Sequence, residues 1–124
     1  MESGLSILLV EDHDDARDAM RTLLELDGHV VQAASDGQQG IEMARTAQFD
    51  VALIDIGLPG ADGYEVARRI CSIRGPRPFL VALTGYGQPE DRKLASEAGF
   101  DAHLVKPVDP GDLAGVLARL RARS

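Results

Sequence analysis

Five polar residues that could bind a cation or a phosphate follow directly after hydrophobic runs of this chain. Glu11 and Asp12 follow the run LSILLV, Asp55 follows VALI, Thr84 follows LVAL, and Lys106 follows AHLV. If these runs are neighbouring parallel strands, the five side chains meet at one edge of a sheet, because the carboxyl ends of parallel strands lie together. The spacing therefore predicts a cation site and a phosphate site at the same place.

The turn after the first run favours a cation over a bare phosphate. Glu11 and Asp12 continue into residues 13–15, which read His-Asp-Asp, so the turn concentrates negative charge and would repel a pyrophosphate. Hard oxygen ligands suit Mg²⁺, with Mn²⁺ as an alternative. We therefore interpret the acidic pair as metal ligands.

Asp55 combines the properties of a metal ligand and a nucleophile. An aspartate can attack phosphorus and form an acyl phosphate. The Thr84 hydroxyl and the Lys106 ammonium could then hold the phosphoryl oxygens, since phosphoryl transfer needs mainly positioning and charge neutralisation. The alternative is that Asp55 merely forms a turn before Gly57 and Pro59.

The composition is that of one globular domain. The chain has 124 residues, of which 44% are hydrophobic and 27% are charged, and this length allows one buried core. Its apolar stretches are strand-sized, so we expect no membrane span or signal peptide and a cytoplasmic location. The net charge of −7 argues against direct binding of nucleic acid. The single cysteine, Cys71, we interpret as a packed thiol.

Apolar runs alternate with segments of helical periodicity along the chain. This order predicts a doubly wound α/β fold, a parallel sheet with helices on both faces. The predicted strands are about residues 5–10, 29–34, 50–55, 79–84 and 101–105. The second of them, HVVQAA, is the more polar and suits a sheet edge, whereas the first, third and fourth are almost wholly apolar and suit the centre.

Acidic residues mark the starts of three predicted helices. We expect Asp14 or Asp15 to cap the first helix, and Asp62 to cap the third. Asp109, followed by Pro110, is the expected cap of the fifth helix.

The fourth predicted helix is the weakest. Between Pro89 and Gly99 it offers only Leu94, Ala95 and Ala98 to the core. Little apolar area then holds it in place, so we expect this helix to be the element that moves.

The chain resembles the receiver domain of bacterial two-component response regulators over essentially its whole length. The resemblance is carried by the segments ILLVEDH, DVALIDIGLPGADGYE, ALTGYG and EAGFDAHLVKPVD, in this order. It implies a flavodoxin-like (βα)5 fold with strand order 2-1-3-4-5, and a single receiver domain over residues 1–124 without an output domain. It also implies that Asp55 accepts a phosphoryl group from a sensor histidine kinase or a histidine phosphotransfer protein.

The resemblance further assigns roles to individual residues. The Mg²⁺ ligands it implies are the carboxylates of Glu11, Asp12 and Asp55 and the backbone carbonyl of Gly57. Thr84 and Lys106 would bind the phosphoryl group and carry a conformational response to the face of helix four, strand five and helix five. The bond between Lys106 and Pro107 is expected to be cis.

Two residues depart from the family pattern. Glu11 stands where aspartate is commoner, and His103 stands where a Tyr or Phe usually turns inward with the threonine. His103 is either an exposed strand-end residue or a switch residue that makes the response sensitive to pH near neutrality. The ending HLVKPVD also looks like receivers attached to hybrid sensor kinases, so a stand-alone protein and an excised domain both stay open.

The sequence as a whole predicts a signalling switch rather than an enzyme acting on free substrate. A homodimer formed on phosphorylation is a further partner that the resemblance allows. One alternative is a small phosphohydrolase with an aspartyl phosphate intermediate, but the residue two positions after Asp55 is Gly57 and not a second acid. The other is a receiver-like interaction module that is never phosphorylated, against which the complete five-residue set argues.

Overall fold

Strands and helices alternate strictly along the chain. The computed structural model describes residues 4–57, 62–85 and 92–123. The strands in this part are β1 (Ser6–Val10), β2 (Val30–Ala34), β3 (Val51–Asp55), β4 (Phe79–Thr84) and β5 (Ala102–Val105). The helices are α1 (Asp14–Leu26), α2 (Gly37–Thr46), α3 (Gly63–Cys71), α4 (Arg92–Ala98) and α5 (Pro110–Arg123). Every strand begins and ends within one residue of its predicted position.

The sheet is parallel throughout and has the order β2-β1-β3-β4-β5. This is the flavodoxin-like order, and the fold prediction is confirmed. The polar run forms the edge strand β2, while the apolar runs form the three central strands. Their placement follows from burial, because a strand covered by helices on both faces must be apolar at every position.

Two hydrophobic cores form on opposite faces of the sheet because successive side chains of a strand point in opposite directions. Leu9 and Leu53 lie in the core beneath α1 and α5, and Leu8 and Ile54 lie in the core beneath α2, α3 and α4. Both cores reach the strand ends that carry the predicted site. Among the described residues, none of the helices is long and apolar enough to cross a membrane.

The predicted caps of α3 and α5 are confirmed. The Asp62 carboxylate accepts a hydrogen bond from the Glu65 backbone N–H at 2.8 Å. The Asp109 carboxylate accepts from the N–H groups of Gly111 and Asp112 at 2.6 and 3.1 Å. Each carboxylate therefore satisfies N–H groups that have no partner inside the helix.

The predicted cap of α1 is wrong. The residue at the N-cap position of α1 is His13, whose side chain makes no capping hydrogen bond. Asp14 and Asp15 lie instead in the first turn of the helix, where negative charge interacts favourably with the helix dipole. Helix α1 begins one residue earlier than an Asp14 cap would require, and two residues earlier than an Asp15 cap would require.

Helix α4 is short and contacts the core mainly through its carboxyl end. Ala98 is buried, Ala95 is half-buried, and Leu94 is 43% exposed. The expectation that Leu94 packs into the core is therefore wrong. Cys71, the last residue of α3, is half-buried against this end of α4, with its thiol 3.8 Å from the Ala98 carbonyl oxygen.

Helix α3 packs directly against the end of β3 because Gly63 has no side chain. A Cβ atom at Gly63 would lie only 2.7 Å from the Asp55 carbonyl oxygen and 2.7 Å from the Ile56 Cα. The first turn of α3 thus fixes the backbone that presents Asp55.

Candidate functional site

The predicted site residues come together at the carboxyl edge of the sheet. Glu11 follows β1, Asp55 ends β3, Thr84 ends β4, and Lys106 follows β5. The polar residues Glu11, Asp55 and Thr84 are only 2%, 6% and 7% exposed. Buried polar side chains need partners, and their partners define what the site can do.

Lys106 connects two of the acids. Its ammonium group donates a hydrogen bond to Glu11 Oε1 and pairs with Asp55 Oδ2 at 3.0 Å. The second oxygen of Asp55 accepts a hydrogen bond from the Gly57 backbone N–H at 2.9 Å. Both oxygens of the buried Asp55 carboxylate are thereby held in place.

These contacts shift the pKa values of all three groups. Burial raises the pKa of Asp55, but the hydrogen bonds from Lys106 and the Gly57 N–H outweigh burial and leave this pKa below its usual value. Burial raises the pKa of Glu11. The hydrogen bond from Lys106 lowers this pKa and the interactions with Asp55 raise it, so that it stays above its usual value. Burial lowers the pKa of Lys106, but its bonds to Glu11 and Asp55 raise the pKa overall. The Lys106 ammonium thus neutralises only part of the negative charge of the two carboxylates, and a further cation would offset the rest.

The acid cluster also fits a divalent cation. Glu11, Asp12, His13 and Asp55 each offer one ligand atom, and these atoms lie within 4.8 Å of one another. The Asp12 Oδ1 atom is buried and accepts no hydrogen bond from the described residues. An ion would satisfy this oxygen, and carboxylates are the ligands that Mg²⁺ and Mn²⁺ prefer.

His13 is the member of this cluster that sequence reasoning missed. Its Nδ1 atom lies 3.4 Å from Asp12 Oδ1 and 3.7 Å from Glu11 Oε2. The available signal was its position directly after the acidic pair, in the turn that leads into α1. The predicted carboxylates lie in the cluster as expected.

Thr84 lies beside the acid cluster, with its hydroxyl directed at the neighbouring strand. The hydroxyl donates to the Leu104 carbonyl oxygen of β5 at 3.4 Å. The Thr84 carbonyl oxygen in turn accepts from the Lys106 N–H at 2.7 Å. Thr84 is therefore connected to Lys106 through the backbone.

His103 is exposed on β5, in agreement with the simpler of its two interpretations. It nevertheless lines a cleft of about 190 Å³ together with Thr84 and with Ser96 of α4. The peptide bond between Lys106 and Pro107 is cis, which confirms that prediction.

Known proteins share both the sequence pattern and the fold. The family model for the response regulator receiver domain matches residues 7–118 of this chain. The chain is 40% identical over 122 residues to the transcriptional regulatory protein CseB of Streptomyces coelicolor, covering 98% of this chain and 50% of that protein. It is 34% identical over 110 residues to an uncharacterised 14.6 kDa protein of Leptolyngbya boryana, covering 88% and 84%. The chain thus spans about half the length of the transcriptional regulator.

Two solved structures show the same fold. One is the receiver domain of the sensor histidine kinase PA1611 from Pseudomonas aeruginosa, which has a magnesium ion coordinated in its active site cleft. It superimposes on this chain with a TM-score of 0.85 at 33% sequence identity, and the match covers 95% of this chain and 98% of that one. A CheY-like receiver domain from Methanospirillum hungatei gives a TM-score of 0.86 at 30% identity, covering 98% and 100%. With its family match, strand order and clustered acids, this chain belongs to the response regulator receiver domain family.

Proposed function

We propose that this receiver domain is a signalling switch controlled by phosphorylation of Asp55. The observation that carries the proposal is the buried Asp55 carboxylate, paired with Lys106 at 3.0 Å within a cluster of acids. The donor is a phosphohistidine of a sensor histidine kinase or a histidine phosphotransfer protein. In the transfer, the P–N bond of the donor breaks as a P–O bond to Asp55 forms, and the imidazole leaves with the electron pair.

The proposed metal ligands are the carboxylates of Glu11, Asp12 and Asp55 and the backbone carbonyl of Gly57. The buried Asp12 oxygen, which accepts no hydrogen bond from the described residues, supports this set, as does the magnesium ion in the cleft of the PA1611 receiver domain. When bound, Mg²⁺ (or Mn²⁺ in its place) offsets the charge of the carboxylates and of the phosphoryl oxygens.

Lys106 and Thr84 are the proposed sensors of the phosphoryl group. Once Asp55 is phosphorylated, the Lys106 ammonium can pair with a phosphoryl oxygen in place of the carboxylate oxygen it now contacts. The Thr84 hydroxyl can turn from the Leu104 carbonyl to another phosphoryl oxygen. Because Thr84 bonds to β5, this change favours a state with a rearranged face of α4, β5 and α5. The same face would form a homodimer linked to phosphorylation.

His103 is a proposed participant in this response because it lines one cleft with Thr84. The test compares the chemical-shift changes that phosphorylation causes in His103→Tyr and in the parent, from about pH 6 to about pH 8. A pH-dependent difference between the two proteins supports the role. Identical changes across the range would rule it out.

The proposal is tested by incubating the protein with acetyl phosphate and Mg²⁺ and measuring the mass of the intact chain by mass spectrometry. We expect the addition of one phosphoryl group to the parent. No phosphoryl group should be added to Asp55→Asn, or to the parent when EDTA has removed the metal. Asp50→Asn is the matched control, because Asp50 lies at the opposite end of β3 and accepts from the Ser6 N–H.

Two outcomes would replace the proposal by its alternatives. Failure of acetyl phosphate and beryllofluoride to alter the protein in Mg²⁺ would favour an interaction module that is never phosphorylated. Repeated turnover of a free phosphate ester would favour a phosphohydrolase. We propose instead that the chemistry at Asp55 is confined to phosphorylation and self-dephosphorylation of that side chain.

A further inference from the structure

We infer that His13 adds a nitrogen ligand to the acid cluster and gives this site a second, Zn²⁺-selective mode of metal binding. The inference rests on the proposed metal site and goes beyond it by naming a residue that determines metal specificity. The carboxylates serve both ions, whereas the imidazole serves only the transition metal.

The distances within the cluster suit one shared ion. The Nδ1 atom of His13 lies 3.4 Å from Asp12 Oδ1 and 3.7 Å from Glu11 Oε2. Ligand atoms bound to one ion at about 2.0–2.1 Å lie roughly 3 Å apart when they are adjacent. Small side-chain rotations would therefore bring the imidazole and the acids onto one Zn²⁺ ion.

The backbone of His13 is fixed, whereas its side chain makes no hydrogen bond within the part of the chain that the structure describes. The His13 N–H donates to Glu11 Oε2 at 3.3 Å, and its carbonyl oxygen accepts from the Arg17 N–H at 2.9 Å. The side chain makes no capping hydrogen bond to α1 and is 76% exposed. The turn thus places the imidazole at the acids, and the described residues give the ring no other role.

Ligand chemistry separates the two ions. Mg²⁺ prefers carboxylate and carbonyl oxygens and keeps several waters, so it gains little from an imidazole. Zn²⁺ binds imidazole nitrogen and carboxylate oxygen together. Because Asp55 belongs to the same cluster, Zn²⁺ held through His13 would compete with Mg²⁺ for the carboxylate that accepts the phosphoryl group.

The experiment measures Zn²⁺ and Mg²⁺ affinities by calorimetry on tag-free protein. We compare the parent with His13→Asn, and with His103→Asn as an exposed histidine outside the acid cluster. His13→Asn should weaken Zn²⁺ binding by at least about tenfold, since even outer-shell partners of a metal contribute this much. Mg²⁺ affinity should stay within about twofold of the parent value, because oxygen ligands suffice for this ion. His103→Asn should match the parent for both ions.

A second readout follows the histidine ring itself. The ring resonances of His13 should shift far more on addition of Zn²⁺ than on addition of Mg²⁺, because only Zn²⁺ bonds to the ring nitrogen. If the parent binds Mg²⁺ but His13→Asn retains the parent's Zn²⁺ affinity, this inference is overturned and the proposed function stands. If the parent binds neither ion and takes no phosphoryl group, the proposed site fails, and this inference fails with it.

Discussion

Lys106 supplies the positive charge that two buried acids share. Its ammonium contacts both Glu11 and Asp55. Burial lowers the pKa of Lys106, yet the two carboxylates raise it above the ordinary lysine value. The stabilising contribution of these ion pairs is therefore fully present at neutral pH, and is lost only as the pH rises through the raised pKa.

Replacement of this lysine should destabilise the metal-free domain. We expect Lys106→Met to lower the free energy of unfolding by about 2 kcal/mol at neutral pH, because two buried carboxylates lose their counter-charge. Mg²⁺ should reduce this loss, since the ion replaces the charge. Urea unfolding in EDTA and in Mg²⁺ measures both values. An equal loss in the two conditions would contradict the shared-charge account.

A surface pair provides the control for that experiment. Arg45 pairs with Glu42 on α2 at 3.1 Å, and both side chains are about half exposed. Arg45→Gln should change stability by less than about 0.5 kcal/mol, because solvent screens an exposed pair.

Metal binding should depend on pH through Glu11. Burial, followed by its interactions with Asp55, raises the pKa of Glu11 despite the opposing bond from Lys106. Since a metal ligand must be deprotonated, protons compete with Mg²⁺ at this carboxylate. The Mg²⁺ affinity should therefore rise with pH and level off above the raised pKa. Calorimetry from about pH 5 to about pH 8 measures this dependence. A flat profile in the parent, or an unchanged slope in Glu11→Gln, would count against the assignment.

At the scale of elements, the contact between α3 and β3 fixes the strand that carries Asp55. We expect Gly63→Ala to destabilise the domain by about 1–3 kcal/mol, because the added methyl group meets backbone and not a movable side chain. Gly115→Ala is the matched control, since a Cβ on Gly115 meets nothing within 4 Å. That change should stabilise α5 by roughly 0.5–1 kcal/mol. Thermal unfolding of both variants tests the contrast, and equal effects would contradict it.

Helix α4 should open more readily than the other helices. It has seven residues, of which Ala98 contacts the core and Leu94 is 43% exposed. Few buried contacts mean a low free energy of local opening. Amide hydrogen exchange should therefore be faster in α4 than in α1 or α3. Protection of α4 equal to that of α3 would refute its role as the mobile element.

The sequence allowed the strands to be predicted closely because a strand buried on both faces is a continuous apolar run. The same property locates Asp55 and Thr84, since a polar residue ends each run. Side-chain rotations and turn geometry leave no such pattern. For this reason His13 was missed as a cluster member, and the double pairing of Lys106 could not be deduced. Helical spacing likewise placed Leu94 on the core side of α4 but said nothing of its distance from the sheet.

At the scale of the whole molecule, the site lies at the carboxyl edge of the sheet that separates the two cores. The core beneath α1 and α5 and the core beneath α2, α3 and α4 share the sheet. The loops that leave β3, β4 and β5 all start at the edge that carries the site. A change of charge at Asp55 therefore acts next to three helix connections, and this arrangement suits a switch read by a partner protein.

The central claim is that Asp55 accepts a phosphoryl group from phosphohistidine. The most direct measurement incubates the protein with a phosphorylated histidine phosphotransfer domain and Mg²⁺, reduces the product with borohydride, and maps the modified residue by mass spectrometry. We predict a single modified residue, Asp55, at which borohydride has converted the acyl phosphate to an alcohol with release of phosphate. This product should be absent without Mg²⁺ and absent in Asp55→Asn. A phosphoryl group on another residue, or transfer that persists in Asp55→Asn, would contradict the account.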